Sequence, residues 1–155
     1  LKKLRESDWD GAIFAAAGLE RIGLRPGSSR ELDWMLPAPA QGAILVVCRE
    51  GDAESLQAAR SLNDAPTALC TSLERDFLST LMGGCSTPIS AYARVDAGKV
   101  LFSGNIASPD GVRLVEISRE APLASAGSLG GDAARELLGQ GAADIIKLFK
   151  SSPAC

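Results

Sequence analysis

The hydrophobic periodicity of the chain changes at residue 88, and this change constrains the fold more than any other feature of the sequence. Four apolar residues before this point recur every four positions, which is typical of one face of a helix: Leu69, Leu73, Phe77 and Leu81. After it, apolar and polar residues alternate from Ile89 to Val95, which predicts a strand. Pro88 prevents the helix from continuing. The sequence therefore predicts a helix that ends near Met82 and is followed directly by a strand.

Two further strands are predicted downstream. Lys99–Ile106 meets the first strand across the short loop Asp96-Ala97-Gly98, as in a hairpin. Ser108-Pro109-Asp110-Gly111 then predicts a type I turn that leads into a third strand over residues 112–119. We expect a bulge in the third strand, because three of its apolar residues do not keep one parity: Leu114, Val115 and Ile117.

Helices are predicted on both sides of these strands. Asp52 is a suitable N-cap for a helix that runs through Leu62, and Pro66 suits the first turn of the next helix. Residues 122–131 are expected to form a loop, after which Asp132 caps a final helix that glycines interrupt at positions 139 and 141. Residues 51–155 therefore predict an α+β domain in which helices cover one face of a three-stranded antiparallel sheet.

Two apolar runs upstream predict strands that are buried on both faces. They cover residues 10–17 and 42–48, and a short helix over residues 18–22 follows the first. Strands of this kind need neighbouring strands, and the first 50 residues do not supply them. We therefore expect the chain to be a fragment of a larger protein.

Composition excludes several classes of function. Of the 155 residues, 46% are apolar and 23% are charged, as in soluble globular proteins. No apolar run approaches the roughly 20 residues of a membrane helix. The net charge of −3 argues against a nucleic-acid partner. The chain has no histidine, and no two of its cysteines (Cys48, Cys70, Cys85 and Cys155) form a CxxC pair, so we expect neither a metal site nor a disulfide framework. A cytoplasmic location suits this cysteine content.

Cys85 is the candidate reactive residue. It follows Gly83-Gly84 in the segment that joins the predicted helix to the predicted strand. Glycines add no side-chain bulk beside the thiol, so a large molecule has room to approach the sulfur. A cysteine next to a helix stop is also a common packing residue. Both interpretations of Cys85 stay open from its spacing alone.

Three motifs resemble the porphobilinogen deaminase family, also called the hydroxymethylbilane synthases. They occur in the order of that family and cover nearly the whole chain. Ala40 stands where the family frequently has glycine. The motifs are Ala15-Ala16-Ala17-Gly18-Leu19-Glu20-Arg21-Ile22-Gly23, Leu36-Pro37-Ala38-Pro39-Ala40-Gln41-Gly42-Ala43, and Glu74-Arg75-Asp76-Phe77 followed by Gly83-Gly84-Cys85-Ser86-Thr87-Pro88-Ile89.

The resemblance implies a function and a set of site residues. It implies a transferase that joins four porphobilinogen units into hydroxymethylbilane and releases ammonia. The units are added to a dipyrromethane cofactor, which a thioether links to Cys85. Three residues are implied in cofactor binding: Ala15, Gly18 and Gln41. Arg21 is implied in binding the carboxylates of the substrate. The acid–base aspartate of the family is expected upstream, so we assign no catalytic residue to this chain.

The resemblance also implies a division into domains. Residues 1–35 correspond to the end of a second doubly wound α/β domain, and residues 36–50 to a linker and a returning strand of the first. Residues 51–155 correspond to the C-terminal domain with the cofactor cysteine. The partner of the chain is then the N-terminal half of the same enzyme, and we expect the chain alone to be inactive.

Two other interpretations belong to different classes of protein. The first is a non-catalytic α+β interaction or regulatory module in which Cys85 is structural. The second is a redox thiol enzyme, which the absence of a resolving cysteine at CxxC distance disfavours.

Overall fold

The computed structural model describes residues 1–81 and 87–151 of the chain. They divide into two compact units, Leu1–Met35 and the residues from Leu36 onward.

The first unit contains two short helices, α1 (Lys2–Glu6) and α2 (Ala16–Arg21). The strand expected over residues 10–17 is wrong, because α2 begins inside it and the residues before α2 pair with no strand. A strand gains its hydrogen bonds from a neighbouring strand, and the described residues of this unit contain none. The apolar run therefore stays exposed, with Ile13 at 78% exposure, and its last alanines join the helix.

The second unit begins with an irregular segment over residues 36–52. Residues 42–48, expected to form a strand, pair with no described strand, and their place in a larger sheet stays a prediction. Their apolar side chains are consequently exposed, with Ile44 at 86% and Val47 at 79%. The run is apolar, but the described residues contain no neighbouring strand to which its N–H and C=O groups could hydrogen-bond.

Two capped helices follow and confirm the sequence prediction. In α3 (Ala53–Arg60), the Ser55 N–H donates to the Asp52 carboxylate at 3.0 Å. In α4 (Ala65–Thr80), the Thr67 N–H donates to the Asp64 carboxylate at 2.9 Å, and a proline lies in the first turn. Each carboxylate satisfies an N–H group that has no acceptor within its own helix.

The sheet is an antiparallel meander in the order β1-β2-β3. Its strands are β1 (Ile89–Asp96), β2 (Lys99–Ala107) and β3 (Leu114–Pro122). Asp96 pairs with Lys99, so the first hairpin has a two-residue loop. The Gly111 N–H donates to the Ser108 carbonyl at 2.9 Å and closes the predicted turn before β3.

The third strand has no bulge, so that expectation is wrong. Its pairing with β2 is continuous from Pro122 to Leu114. Ile117 is buried and Val115 lies partly buried against the core, because these two residues share one parity. Leu114 has the opposite parity and is 54% exposed. The apolar residues of β3 have mixed parity because Leu114, at the start of the strand, is exposed.

Helical turns of three kinds follow β3. A 3₁₀ helix (Leu123–Ser128) leads into α5 (Leu129–Leu137), and a π-helical turn (Leu138–Ala142) joins α5 to α6 (Ala143–Ser151). The expected loop and cap are wrong, because α5 begins before Asp132, whose carboxylate instead accepts from Arg135 at 2.6 Å. The small residues before Asp132 pack closely enough to continue the helical path. The predicted interruption is confirmed, since Gly141 has a φ of 110°.

Helices α4 and α5 pack on one face of the sheet, which confirms the predicted fold class. The rings of Phe77 and Phe102 lie 5.3 Å apart at the centre of the core. A Cβ atom at Gly104 would lie 2.6 Å from the Phe77 ring, and one at Gly130 would lie 2.0 Å from the Leu73 carbonyl oxygen. Glycine is therefore required where the helices approach the sheet and each other.

Candidate functional site

Cys85, the predicted anchor, lies outside the described residues. The structure does describe the elements on both sides of it. Helix α4 ends at Thr80 and is followed by Leu81, which is 1% exposed, while β1 begins at Ile89, which is 5% exposed. The segment that contains Cys85 therefore starts and ends at residues fixed in the core.

Gln41 lies in a tight turn that we call the Gln41 turn, residues 38–42. Its backbone N–H donates to the Ala38 carbonyl at 3.0 Å, and its side-chain Oε1 accepts from the Ala38 N–H at 3.1 Å. Ala40 has a φ of 58°, in the left-handed region, and Gly42 has a φ of 83°. Since Oε1 already accepts a hydrogen bond, the Nε2 group of this exposed side chain is the part that can donate to a ligand.

The buried carboxylate of Glu74 holds the Gln41 turn. Glu74 lies in α4 and is 5% exposed. Its Oε2 accepts from the Ala40 N–H at 2.6 Å, and its Oε1 accepts from the Ala93 N–H of β1 at 2.8 Å. A buried carboxylate is stable only when hydrogen bonds replace its lost hydration, and both oxygens of Glu74 have them.

A cavity of about 420 Å³ opens beside the Gln41 turn. Gln41, Tyr92 and Arg94 lie in its wall together with Glu74. The Arg94 guanidinium pairs with Asp96 at 3.1 Å, and both side chains are more than half exposed. The cavity therefore combines an amide donor with a solvated cation, which are groups that bind carboxylates.

The first unit places Ala15, Gly18 and Arg21 on one short helix. Ala15 is the residue before α2, and its carbonyl accepts from the Gly18 N–H at 3.1 Å. The Gly18 N–H therefore has an acceptor within the chain. An added Cβ at Gly18 would meet no heavy atom within 4 Å. Gly18 therefore leaves the backbone of α2 accessible to another molecule.

The guanidinium of Arg21 is exposed at the end of α2 and differs in this from Arg25. Arg25 pairs with Glu20 and with Glu31, the latter at 2.6 Å. The hydrogen bond that the Arg25 guanidinium donates to Glu31, followed by the one it donates to Glu20, raises the pKa of Arg25 above its ordinary value. Within residues 1–81 and 87–151, no carboxylate lies within 4 Å of Arg21. Arg21 is thus available to an external anion.

The other described cysteines differ in exposure. Cys70 is buried, and burial together with the negative charges of Glu74 and Asp64 raises the pKa of its thiol. A raised pKa disfavours the reactive thiolate. Cys48 is exposed. The part of the chain that the structure describes contains no cluster of three or more His, Cys, Asp or Glu residues that would hold a metal ion.

Sequence reasoning missed the role of Glu74. Glu74 opens the third motif, and it lies on the buried face of α4 that also carries Cys70, Leu73 and Phe77. A charged residue on the apolar face of a helix is the signal that would have found it. The structure brings Glu74 and the Gln41 turn together, and it places Ala15, Gly18 and Arg21 along α2.

Two family models match the chain. One is described as "Porphobilinogen deaminase, dipyromethane cofactor binding domain" and matches residues 1–57. The other is described as "Porphobilinogen deaminase, C-terminal domain" and matches residues 68–139. The first range contains Ala15, Gly18, Arg21 and Gln41, and the second contains Cys85.

Similar proteins carry the same name. The porphobilinogen deaminase of Nitrobacter hamburgensis is 40% identical over 151 residues, which are 96% of this chain and 48% of that protein. That of Brevibacillus brevis is 41% identical over 151 residues, 94% of this chain and 48% of that protein. The chloroplastic porphobilinogen deaminase of Pisum sativum is 46% identical over 122 residues, 77% of this chain and 33% of that protein.

Both matched regions come from one class of protein, a deaminase with a cofactor-binding domain and a C-terminal domain. The chain belongs to the porphobilinogen deaminase family. It spans about half the length of the curated bacterial relatives it matches. None of the helices in the described ranges is long and apolar enough to cross a membrane.

Proposed function

We propose that the chain is the C-terminal portion of an enzyme that joins four porphobilinogen units into hydroxymethylbilane and releases ammonia. Cys85 holds a dipyrromethane cofactor through a thioether. The observation that carries this proposal is the pair of family matches, one on each side of residues 58–67. The acid–base aspartate lies in the remaining part of the protein.

The described residues fit a cofactor with several carboxylates. Gln41 uses its Oε1 within its own turn and keeps Nε2 as a donor. Arg21 has no carboxylate partner among the described residues, and the cavity beside Gln41 includes the guanidinium of Arg94. Amide and guanidinium N–H groups are the donors that bind carboxylates in proteins. When bound, the dipyrromethane supplies the pyrrole end to which substrate units are added.

The residues of this chain bind and orient in the proposed reaction. Gln41 would hold a cofactor carboxylate through Nε2, and Ala15 and Gly18 would hold the cofactor through the open backbone at the start of α2. Arg21 neutralises a substrate carboxylate. Cys85 provides the covalent anchor and takes no part in later steps.

The exposed apolar runs fit a place in larger domains. We assign residues 1–35 to the end of a second α/β domain and residues 36–50 to a linker and a strand of the first. The remaining half of the protein would cover the exposed side chains at residues 13–14 and 44–47. The C-terminal domain then comprises residues 51–155. A cytoplasmic location is supported by the free thiols of Cys48 and Cys70.

The intact mass of the full-length protein tests the covalent proposal. We expect an added mass of two pyrrole units on the wild-type protein and its loss in Cys85→Ser, together with loss of ammonia release from porphobilinogen. The physical reason is that only the Cys85 sulfur anchors the cofactor.

Cys48→Ser is the matched control, because Cys48 is an exposed thiol in the same chain. It should keep both the added mass and the activity. A wild-type protein without the added mass, whose activity survives Cys85→Ser, would favour a structural cysteine in a protein of another function.

A further inference from the structure

Glu74 joins three elements of the second unit through one side chain. It lies in α4, and its two carboxylate oxygens accept from β1 at Ala93 and from the Gln41 turn at Ala40. Residues Leu36–Ala40 and Glu74 are far apart in sequence, so this contact fixes a segment that has little regular structure of its own.

The N–H group of Ala93 needs this acceptor because β1 is an edge strand. Strand β1 pairs only with β2 among the described strands. In an antiparallel strand, alternate N–H groups point away from the paired neighbour. Ala91 and Ala93 have the same parity: the Ala91 N–H donates to the Pro37 carbonyl at 3.1 Å, and the Ala93 N–H donates to Glu74. The segment before the Gln41 turn and the Glu74 carboxylate therefore cover this edge together.

The N–H group of Ala40 needs the same acceptor for a different reason. Ala40 has a φ of 58°, a conformation in which its backbone turns sharply between Ala38 and Gly42. The bond from its N–H to Glu74 Oε2 is 2.6 Å long and partly buried. Together with the bond between Pro37 and Ala91, it ties the turn to the sheet and to α4.

We propose that Glu74 is a positioning residue that holds the Gln41 turn against α4 and β1, so that the Gln41 Nε2 group faces a carboxylate of the bound pyrrole chain. This inference rests on the proposed function for the role of Gln41. Helix α4 ends five residues before Cys85 in the sequence, so Glu74 links the segment that binds a carboxylate to the helix that leads to the anchor. Both carboxylate oxygens of Glu74 accept from backbone N–H groups, so the role proposed for it is to position the turn.

The variant that tests this role is Glu74→Gln in the full-length holoenzyme. Glutamine has nearly the same shape, but its side chain has one acceptor oxygen where glutamate has two. Whichever way the glutamine amide turns, its NH2 group faces the N–H donor of Ala40 or of Ala93, so the contact that ties the turn to α4 and β1 is weakened in either orientation. We expect backbone hydrogen exchange in residues 37–43 to become at least about tenfold faster, while exchange in β2 and β3 stays unchanged.

Ile145→Val is the matched control. Ile145 is fully buried in the core on α6, and its truncation weakens packing without contacting the Gln41 turn. It should not accelerate exchange in residues 37–43 selectively. If Glu74→Gln does not fold, Glu74→Asp is the milder variant, because it keeps both oxygens and shortens the reach by one methylene group. In the wild-type protein, an Ala40 amide without protection would by itself overturn the inference.

A double-mutant cycle on activity tests the link to Gln41. We expect Glu74→Gln and Gln41→Ala each to lower kcat/KM for porphobilinogen by about tenfold, and the double variant to be no worse than the poorer single variant. If the two losses of kcat/KM multiply in the double variant, Glu74 acts independently of Gln41. If Gln41→Ala is fully active, Glu74 positions nothing that the reaction uses and the inference fails. Ammonia release by the wild-type protein reports separately on the proposed function.

Discussion

Single residues of this chain have roles that depend on what lies beside them in space. Gly130 and Gly139 are both glycines in the C-terminal helical region. A Cβ at Gly130 would lie 2.0 Å from the Leu73 carbonyl oxygen, whereas a Cβ at Gly139 would meet no heavy atom within 4 Å. The sequence does not distinguish the two glycines, because their difference arises from the tertiary contact where α5 crosses α4.

Replacing Gly130 by alanine should lower the free energy of unfolding by about 3 kcal/mol, near the upper end of what overpacking costs. The added methyl group would press on backbone atoms of α4, which cannot move aside as a flexible side chain would. A urea titration of the chain measures the loss. Gly139→Ala is the control, and we expect it to be neutral or slightly stabilising. Equal effects of the two substitutions would contradict the close approach of the helices.

Glu74 shows the same limit at the site. In the sequence it is one charge in a motif, and charged residues on helices are usually solvated. Its position on the buried face of α4 is visible from the spacing to Cys70 and Phe77, but the N–H groups of Ala40 and Ala93 that donate to it are not. The roles of Ala15, Gly18, Gln41 and Arg21 were available from the family resemblance, and they stay proposals.

At the scale of elements, helix starts and turns were predictable, because they depend on residues that are close together in the sequence. The cap at Asp52 and the first-turn proline Pro66 located the starts of α3 and α4, and turn residues located the strand ends. The predictions failed where tertiary contacts determine the secondary structure. The 3₁₀ helix and the start of α5 lie in a run of small residues without clear periodicity. The two apolar runs carry a strand-like composition, but their partners are not in the described residues.

The first hairpin of the sheet can be improved by one substitution. Its loop is Ala97-Gly98, and both residues have positive φ, at 46° and 76°. A two-residue loop of this kind is a type I′ turn, which favours asparagine followed by glycine. We expect Ala97→Asn to raise the free energy of unfolding by about 0.5–1 kcal/mol, because asparagine tolerates the left-handed region better than alanine.

The measurement is a urea titration that compares three chains. Ala97→Val should have the opposite effect, since a β-branched residue is strained at positive φ. A stabilising Val, or an Asn that destabilises, would be incompatible with the turn geometry described for this hairpin.

At the scale of the whole molecule, residues 44–47 form the longest run of consecutive exposed large apolar side chains among the described residues. Ile44, Leu45, Val46 and Val47 are each more than half exposed. Apolar patches of this kind mark surfaces that bind other protein. The curated bacterial relatives are about twice as long as this chain, so the remaining half of the same polypeptide is the partner that we expect.

Hydrogen exchange tests this expectation by comparing this chain alone with a polypeptide that spans the full length of its relatives. Residues 44–48 should exchange at the unprotected rate in the chain alone, because their N–H groups have no strand partner. In the longer polypeptide they should become protected at least about tenfold, as pairing in a sheet requires. Equal exchange in the two samples would refute the assignment of this run to a completed domain. The hairpin β1-β2 is the internal control, since its protection should not differ.

The meander order of the sheet has a consequence during synthesis. Each strand pairs with the next one along the chain, so the sheet forms from contacts of short sequence separation, which fold quickly. Helix α4 leaves the ribosome before any of these strands, and its residues Leu73 and Phe77 are covered only once the sheet and α5 have been made. Between the synthesis of Thr80 and that of Leu137, these two apolar side chains are therefore without their cover in the nascent chain.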